Sequence, residues 1–313
     1  MLQELKTPIG KLSDKKERFF VVIYNAQAGR VRGHALERIR HFFDERSLPY
    51  LVTDLSYCDW NNIRTKLEEY EDVRFIAAGG DGTLRLVLEQ LWKEDLLRHC
   101  TVGFIPLGSA NMAAVSFRLP FGLLHALKKT VEGTPRAIDL GVINNTYVFF
   151  IAAFFGVASN VTIGAHRGLK KKWGWFAYVL SIEKLIHSNY QRRSFIIEFE
   201  ENGQKRKIRS HSMIVCNQLN IGGLKPLRGI RPDDNHLHLI TLHNTSPWGF
   251  LQAVYDFFRG RKDTGILRHK RFTHTRYTLK NFKGAVHLDG DAYIDLGDTL
   301  EFCVLPRAAK LVM

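Results

Sequence analysis

The sequence predicts an α/β chain: an open parallel sheet with helices in the first half and a mainly antiparallel β-sandwich in the second. Three observations carry this. Short apolar runs alternate with stretches of helical length through the first hundred residues, three polar glycine-bearing turns follow three of those runs, and past about Arg136 the pattern changes to segments alternating apolar and polar residues. Strands alternating with helices imply βαβ units and a parallel sheet. Alternation at period two with turn residues between implies antiparallel strands with one buried face.

In order, Phe19–Asn25 reads as a strand, His34–Glu45 as a helix, Tyr50–Asp54 as a strand and Asp59–Tyr70 as a helix. Val73–Ala78 follows as a strand, Leu84–Leu97 as a helix and Thr101–Ile105 as a strand. Beyond residue 136, Arg193–Glu201, Lys205–Val215, His236–Leu242 and Thr273–Leu279 read as antiparallel strands, interrupted by helices at Lys172–His187 and Pro247–Phe258. The apolar run Tyr147–Ala158 reads as one buried strand entering a turn at Gly156. It is well short of the ~20 residues a membrane span needs. The expected domains are 1–136 and 137–313.

Composition narrows the classes. The 313 residues hold 45% hydrophobic and 12% aromatic residues, which excludes disordered and fibrous chains. Cys58, Cys100, Cys216 and Cys303 lie far apart without a C-x-x-C, so neither a zinc ribbon nor a disulfide scaffold is expected, and a reducing compartment is. The N-terminus lacks the apolar core of a secretory signal. Lys and Arg number 45 against 31 Asp and Glu, a net charge of +14 that leaves nucleic acid, an anionic membrane or a phosphorylated substrate open.

The most informative stretch is Gly79-Gly80-Asp81-Gly82-Thr83, after a strand and before a helix. Glycines there let backbone N–H groups approach an anion, and the helix N-terminus adds partial positive charge. Asp81 would repel a bare phosphate, so it points to a metal-bound nucleotide or to proton transfer; a helix-capping role stays open beside these. There is no G-x-x-x-x-G-K-[ST], no complete dinucleotide fingerprint and no G-x-S-x-G elbow. Two further turns, Asn25-Ala26-Gln27-Ala28-Gly29-Arg30 and Ile105-Pro106-Leu107-Gly108-Ser109-Ala110-Asn111, also follow strands. All three would share the sheet edge where open α/β folds bind ligands.

Together these residues resemble the diacylglycerol kinase catalytic domain family, which includes bacterial lipid kinases, ceramide kinases and sphingosine kinases. Its N-P-x-x-G turn resembles Asn25–Gly29, its G-G-D-G-T-L loop matches Gly79–Leu84, and its P-x-G-[ST]-x-N segment matches Pro106–Asn111. Asp139 falls where that family opens its second domain with an aspartate, Asp233-Asp234-Asn235 resembles its D-D-G, Asp289-Gly290-Asp291 its D-G-E, and Val304–Ala308 its final strand. The departures are Ala26 for proline, Arg85-Leu86 for N-E, and Met112 and His238 where acids are common.

The resemblance implies a Rossmann-like N-terminal domain of the NAD kinase and lipid kinase type. It also implies ATP held by Asn25, Gly29, Arg30, Gly79, Gly80, Gly82, Thr83, Gly108, Ser109 and Asn111, with Mg2+ near Asp81 and Asp234. Asp289 would be the general base, with Asp291 beside it and Asp81 as rival; a plain Asp-Gly hairpin turn is the competing reading of Asp289. Ser159-Asn160, standing where sphingosine kinases carry an acid, favours a neutral lipid such as ceramide or diacylglycerol over a cationic sphingoid base. His236 and His238 lack a third ligand at zinc spacing and read as strand-surface residues.

Two basic clusters flank aromatics: His166–Lys172 before Trp173–Phe176 and Tyr178, and Arg259–Lys262 with Arg268–Arg271 after Phe257-Phe258. They suit an anionic bilayer. The expectation is therefore a cytoplasmic lipid kinase, peripheral on the inner face of the plasma membrane, taking ATP, a neutral lipid and no nucleic acid. The alternatives are an NAD kinase, or a catalytically dead member of the fold that binds membrane or nucleic acid. Oligomeric state is left open.

Overall fold

The computed structural model describes residues 16–26, 33–156, 159, 194–201, 203–219, 227, 229–243, 247–293 and 296–313. The first half is the expected alternation: β1 (Lys16–Tyr24), α1 (Gly33–Asp44), β2 (Tyr50–Asp54), α2 (Trp60–Glu69), β3 (Tyr70–Gly79), α3 (Asp81–Lys93) and β4 (Thr101–Pro106). The strands lie parallel in the order β4-β3-β1-β2. Their cores, such as Phe20–Ile23 and Phe75–Ala78, are buried on both faces. That is why they read as continuous apolar runs. Asp59 caps α2, accepting from the N–H groups of Asn61 and Asn62, both at 3.1 Å.

α3 starts at Asp81 and ends at Lys93, earlier at both ends than the sequence indicates. Asp95 takes a positive φ of 57° and the N–H groups of Leu96 and Leu97 turn back to the Leu91 carbonyl at 2.8 and 3.1 Å. The chain thus closes its own helix terminus and buries both leucines beneath it.

After α4 (Met112–Phe117) and α5 (Leu123–Glu132), the sheet continues in antiparallel strands: β5 (Pro135–Ile143), β6 (Tyr147–Phe149), β7 (Ala152–Gly156), β8 (Phe195–Glu201), β9 (Gln204–Cys216) and β10 (Leu237–His243). Helix α6 (Pro247–Phe258) then leads to β11 (Leu267–Phe272), β12 (His274–Lys280), β13 (Val286–Leu288), β14 (Asp291–Tyr293) and β15 (Thr299–Val312). The run beginning at Tyr147 is two strands, not one, because the N–H groups of Phe150 and Ile151 leave the ladder for the carboxylate of Asp289.

β15 unites the halves. It pairs antiparallel with β12 and β5 and parallel with β4, placing Lys310 beside Thr101. Its register slips between Leu305 and Ala309, where Arg307 adopts a φ of 48°. The Arg307 N–H released there is taken up by fully buried Asp139 at 2.7 Å. A bulge that would leave a buried donor unpaired is thereby satisfied. β5 straddles the boundary expected at residue 136. Among the described residues no helix is long and apolar enough to cross a membrane.

One buried cation anchors α5. Arg74 on β3 donates Nη1 to the carbonyls of Thr130, Val131 and Gly133 at 2.8, 3.0 and 3.1 Å, and Nε to Asp72 at 2.9 Å. These are the terminal carbonyls that a helix leaves unpaired, at its negative dipole end. Arg74→Met is expected to lower unfolding free energy by about 2–4 kcal/mol. Urea denaturation should show this as a reduced midpoint with unchanged slope; a midpoint within error of the parent would discount the anchor.

Candidate active site

β3, β1 and β4 end at one sheet edge, and the turns that follow build a cleft. Gly80 occupies the N-cap of α3 without a side chain to cap it. The first-turn N–H groups of the helix therefore have no side-chain acceptor there, the arrangement that suits an anion. The turn after β4 folds onto this loop: the N–H groups of Leu107 and Gly108 reach the Gly79 carbonyl at 2.7 and 3.2 Å. Gly108 lies so near Gly80 that a Cβ on it would overlap the Gly80 backbone. Asn111, with φ of 46°, accepts from the Gly108 N–H at 3.0 Å and donates Nδ2 to the carbonyls of Gly108 and Pro106 at 2.8 and 3.3 Å. It shapes the turn from within.

Asp81 is turned away from the cleft. Its two oxygens accept the N–H groups of Met112 and Ala113, each at 2.8 Å, capping α4 across the loops. The opening of about 250 Å³ is lined by Asn25, Gly79, Gly80, Gly82 and Thr83 on one side and Leu107, Gly108 and Ser109 on the other, with Leu86 and Asp291 completing it. The Thr83 hydroxyl is buried in this wall without a hydrogen-bond partner. Gly29 and Arg30 lie outside the described residues. The first turn is braced by buried Asp54, which accepts from the N–H groups of Ala26 at 2.7 Å and Ser56 at 2.8 Å. Burial alone would raise that carboxyl, but these donors outweigh it and hold it below its usual value.

The Asp289-Gly290-Asp291 hairpin separates its two acids. Asp289 and Gly290 take positive φ angles of 50° and 107° between β13 and β14, the turn that Asp-Gly favours. The Asp289 carboxylate is buried and accepts three backbone N–H groups: Phe150 at 2.8, Ile151 at 2.8 and Ala152 at 2.9 Å. Burial pushes its carboxyl up to about 7, against the pull of those donors and of the Arg85 charge. Asp291 is the acid on the cleft wall, with 43% of its side chain exposed. A Cβ on Gly82 would collide with its carboxylate, so glycine there lets it approach the start of α3.

Behind Asp291 stands Arg85, 1% exposed. Its Nη1 donates to Glu89 at 2.8 Å, its Nε and Nη2 lie 3.5 Å from Asp291, and Nη2 also meets the Tyr293 hydroxyl. Glu89 in turn holds Lys93 at 2.8 Å and the Val148 N–H at 3.2 Å. Sequence reasoning singled out neither Glu89 nor Tyr293, and treated Arg85 and Leu86 only as departures. Arg85 and Glu89 at i,i+4 look like an exposed helix pair. They are buried because β6 covers that face of α3.

Asp234, expected near a metal, holds its own loop. It accepts from the N–H groups of His236 at 3.0 Å and Arg231 at 3.4 Å, and meets His238 Nε2 at 2.9 Å. Among the described residues no three His, Cys, Asp or Glu side chains are grouped to hold a metal. His238 is buried rather than on the strand surface, because β10 lies between β9 and β11. Ser159 is also buried, donating to the Gly156 carbonyl at 2.7 Å. Asn160, the cluster at 166–172, the aromatics at 173–178 and the helix at 172–187 fall outside the described residues. The second basic cluster is described: Tyr255 on α6 is 53% exposed, with Arg259 packed over its ring.

Residues 20–143 match the family model of the diacylglycerol kinase catalytic domain. That stretch of the chain is similar to the diacylglycerol kinase catalytic domain family. A protein named "Probable lipid kinase YegS-like" from Pectobacterium atrosepticum is 36% identical over 34% of this chain and 35% of its own length. One of the same name from Chromohalobacter salexigens is 29% identical over 61% of each. The chain thus matches less than two thirds of the length of these relatives. A crystal structure of a diacylglycerol kinase from Bacillus anthracis superposes over 96% of both chains with a TM-score of 0.63 at 15% identity, a likeness of fold.

The His238 and His269 rings stack at 5.2 Å, with Nδ1 of the first 2.9 Å from Nε2 of the second. Burial, His238 and Lys262 lower His269 to about 4 from an ordinary 6.5, with Arg271 adding to them and Asp263 opposing. The unfolded chain therefore binds the extra proton first, so stability is intact above pH 6.5 and is lost as pH falls from 6.5 towards 4. His269→Asn should flatten that slope in urea titrations at stepped pH. An unchanged slope would discount it.

Proposed function

We propose that this chain transfers the γ-phosphoryl group of ATP to the primary hydroxyl of a neutral membrane lipid of the ceramide or diacylglycerol type. The observation that carries this reading is one open carboxylate, Asp291, held against the N-terminus of a helix that has no side-chain cap. The ATP phosphates would take the first-turn N–H groups of α3 and the backbone of Gly108 and Ser109, and a phosphate oxygen would give the Thr83 hydroxyl its missing acceptor. The lipid oxygen attacks the γ-phosphorus, the bond to the bridging oxygen breaks, ADP leaves, and the alcohol proton passes to Asp291. Positioning and charge stabilisation are most of what such a transfer requires.

Asp291, rather than Asp289 or Asp81, takes the role of general base here. The other two acids are engaged by backbone donors and act as positioning residues. Magnesium fits this cleft as an ion delivered on the nucleotide: Mg2+ is usually held by one or two carboxylates plus substrate phosphates. Asp291 would supply the carboxylate, and the ion would neutralise developing phosphate charge. Residues 1–136 would bind the nucleotide and 137–313 the lipid. The exposed Tyr255 and the basic residues from Arg259 to Arg271 would face the anionic inner leaflet of the plasma membrane from the cytoplasm.

Asp291→Asn is expected to cut turnover by about 10²- to 10⁴-fold while ADP binding persists. Thr83→Ala should chiefly raise KM for ATP. Asp81→Asn and Asp289→Asn should lower thermal stability along with activity. A radiolabelled-ATP assay over a lipid panel checks these, and full activity in Asp291→Asn would end the assignment. Cosedimentation should show tighter binding to anionic than to neutral vesicles, with the difference shrinking as salt is added; equal binding to both would count against the membrane face.

A further inference from the structure

A second pocket, of about 380 Å³, lies behind α4, away from the cleft and between the two halves of the chain. Three arginines line it: Arg118 just past α4, Arg136 on β5 and Arg231 in the loop before β10. The one acid beside them, Asp233, lies 3.5 Å from Arg231. Arg118 and Arg136 have no ion-pair partner among the described residues.

Two buried polar groups lining the same pocket are also unsatisfied. The Gln218 side chain is 5% exposed and its Nε2 has no acceptor, and the Ser116 hydroxyl has no partner either. Buried donors in a folded protein are nearly always paired, because an unpaired one forfeits its water without recompense. Here an amide N–H and a hydroxyl without acceptors stand beside three exposed guanidinium groups, two of which have no ion-pair partner among the described residues. The complement to that set is a compact multivalent oxyanion. Phe117, Ile138 and Met313 add an apolar wall that a bare inorganic ion would not use.

We propose that this pocket binds a phosphate monoester, with the phosphate on the arginines and Gln218 and the organic part against Phe117 and Met313. Such a group could arrive as a soluble metabolite or as a phosphorylated lipid headgroup. The pocket also touches the machinery of the cleft. Ser116 and Phe117 belong to α4, which Asp81 caps, and the Phe117 ring stacks on Phe150 at 6.4 Å, whose N–H is held by Asp289. Binding here is independent of the chemistry proposed at the cleft, and is tested without turnover.

The full chain, with its cleft saturated by ADP, is titrated in two arms. One uses glycerol 3-phosphate and is read as melting temperature. The other uses vesicles of phosphatidylcholine with or without phosphatidate and is read by cosedimentation. A saturable effect in either arm is expected, the first marking a soluble ligand and the second a headgroup. Arg118→Gln/Arg136→Gln should weaken it by about tenfold or more, as loss of charge-assisted hydrogen bonds does. Gln218→Leu should abolish it without lowering the melting temperature of the unliganded protein, since an unpaired amide gives way to an apolar side chain. That variant leaves the net charge unchanged, so it separates the pocket from general attraction to anionic surfaces. No effect in either arm, or an effect of equal strength in both variants, would overturn the proposal.

Discussion

The structure depends on buried carboxylates that accept backbone N–H groups from distant parts of the chain. Asp81 holds the start of α4, Asp289 holds the break between β6 and β7, and Asp139 holds the N–H groups of Asn235 and the Arg307 bulge at 2.6 and 2.7 Å. Asp54 does the same for the turn after β1. Each spends its desolvation cost on charge-assisted bonds to donors that would otherwise be buried and unpaired. The loops that form the cleft are therefore fixed from behind. None of these acids has to move for the glycine turns to stay open.

This arrangement explains what the sequence could and could not disclose. The parallel sheet was legible because strands buried on both faces must be continuous apolar runs. The glycine turns were legible because close approach, as of Gly108 to Gly80, tolerates no other residue. The acids were not separable by sequence. An aspartate that takes a proton and one that staples a turn occupy the same Asp-Gly context, and only the position of Phe150–Ala152 in space decides between them. Asp289 proved to be both a hairpin residue and a staple, while its neighbour two positions on reached the cleft. The pairing of Arg85 with Asp291 joins residues far apart in sequence through a helix face that pattern alone marks as solvated.

Arg85 shows why one acid could be left open. A guanidinium buried to this degree is costly unless its donors are met and its charge is balanced. Glu89 balances it on one side and Tyr293 meets it on another, while Lys93 extends the alternation of charge outward. Asp291 sits at the end of this chain of opposite charges, in contact with the guanidinium and with solvent. Its carboxylate is oriented from within the protein yet keeps room on its outer face. Gly82 and Arg85 thus both act on it, one by absence of a side chain and the other by charge.

The same distinction between satisfied and unsatisfied charge applies to the net +14. On the outer strands some of the 45 Lys and Arg residues are matched by acids: Lys207 and Lys280 meet Glu198, and Arg276 meets Glu301. Exposed pairs of this kind add little stability, but they remove those cations from competition for ligands. The unmatched arginines behind α4 are different, because they stand in a concave site beside donors that have no acceptor. A protein bearing excess positive charge binds anions weakly everywhere; it selects one only where the donors converge. By that criterion the uncapped start of α3 and the arginine pocket are concave places in the described chain where positive charge becomes recognition of a single anion.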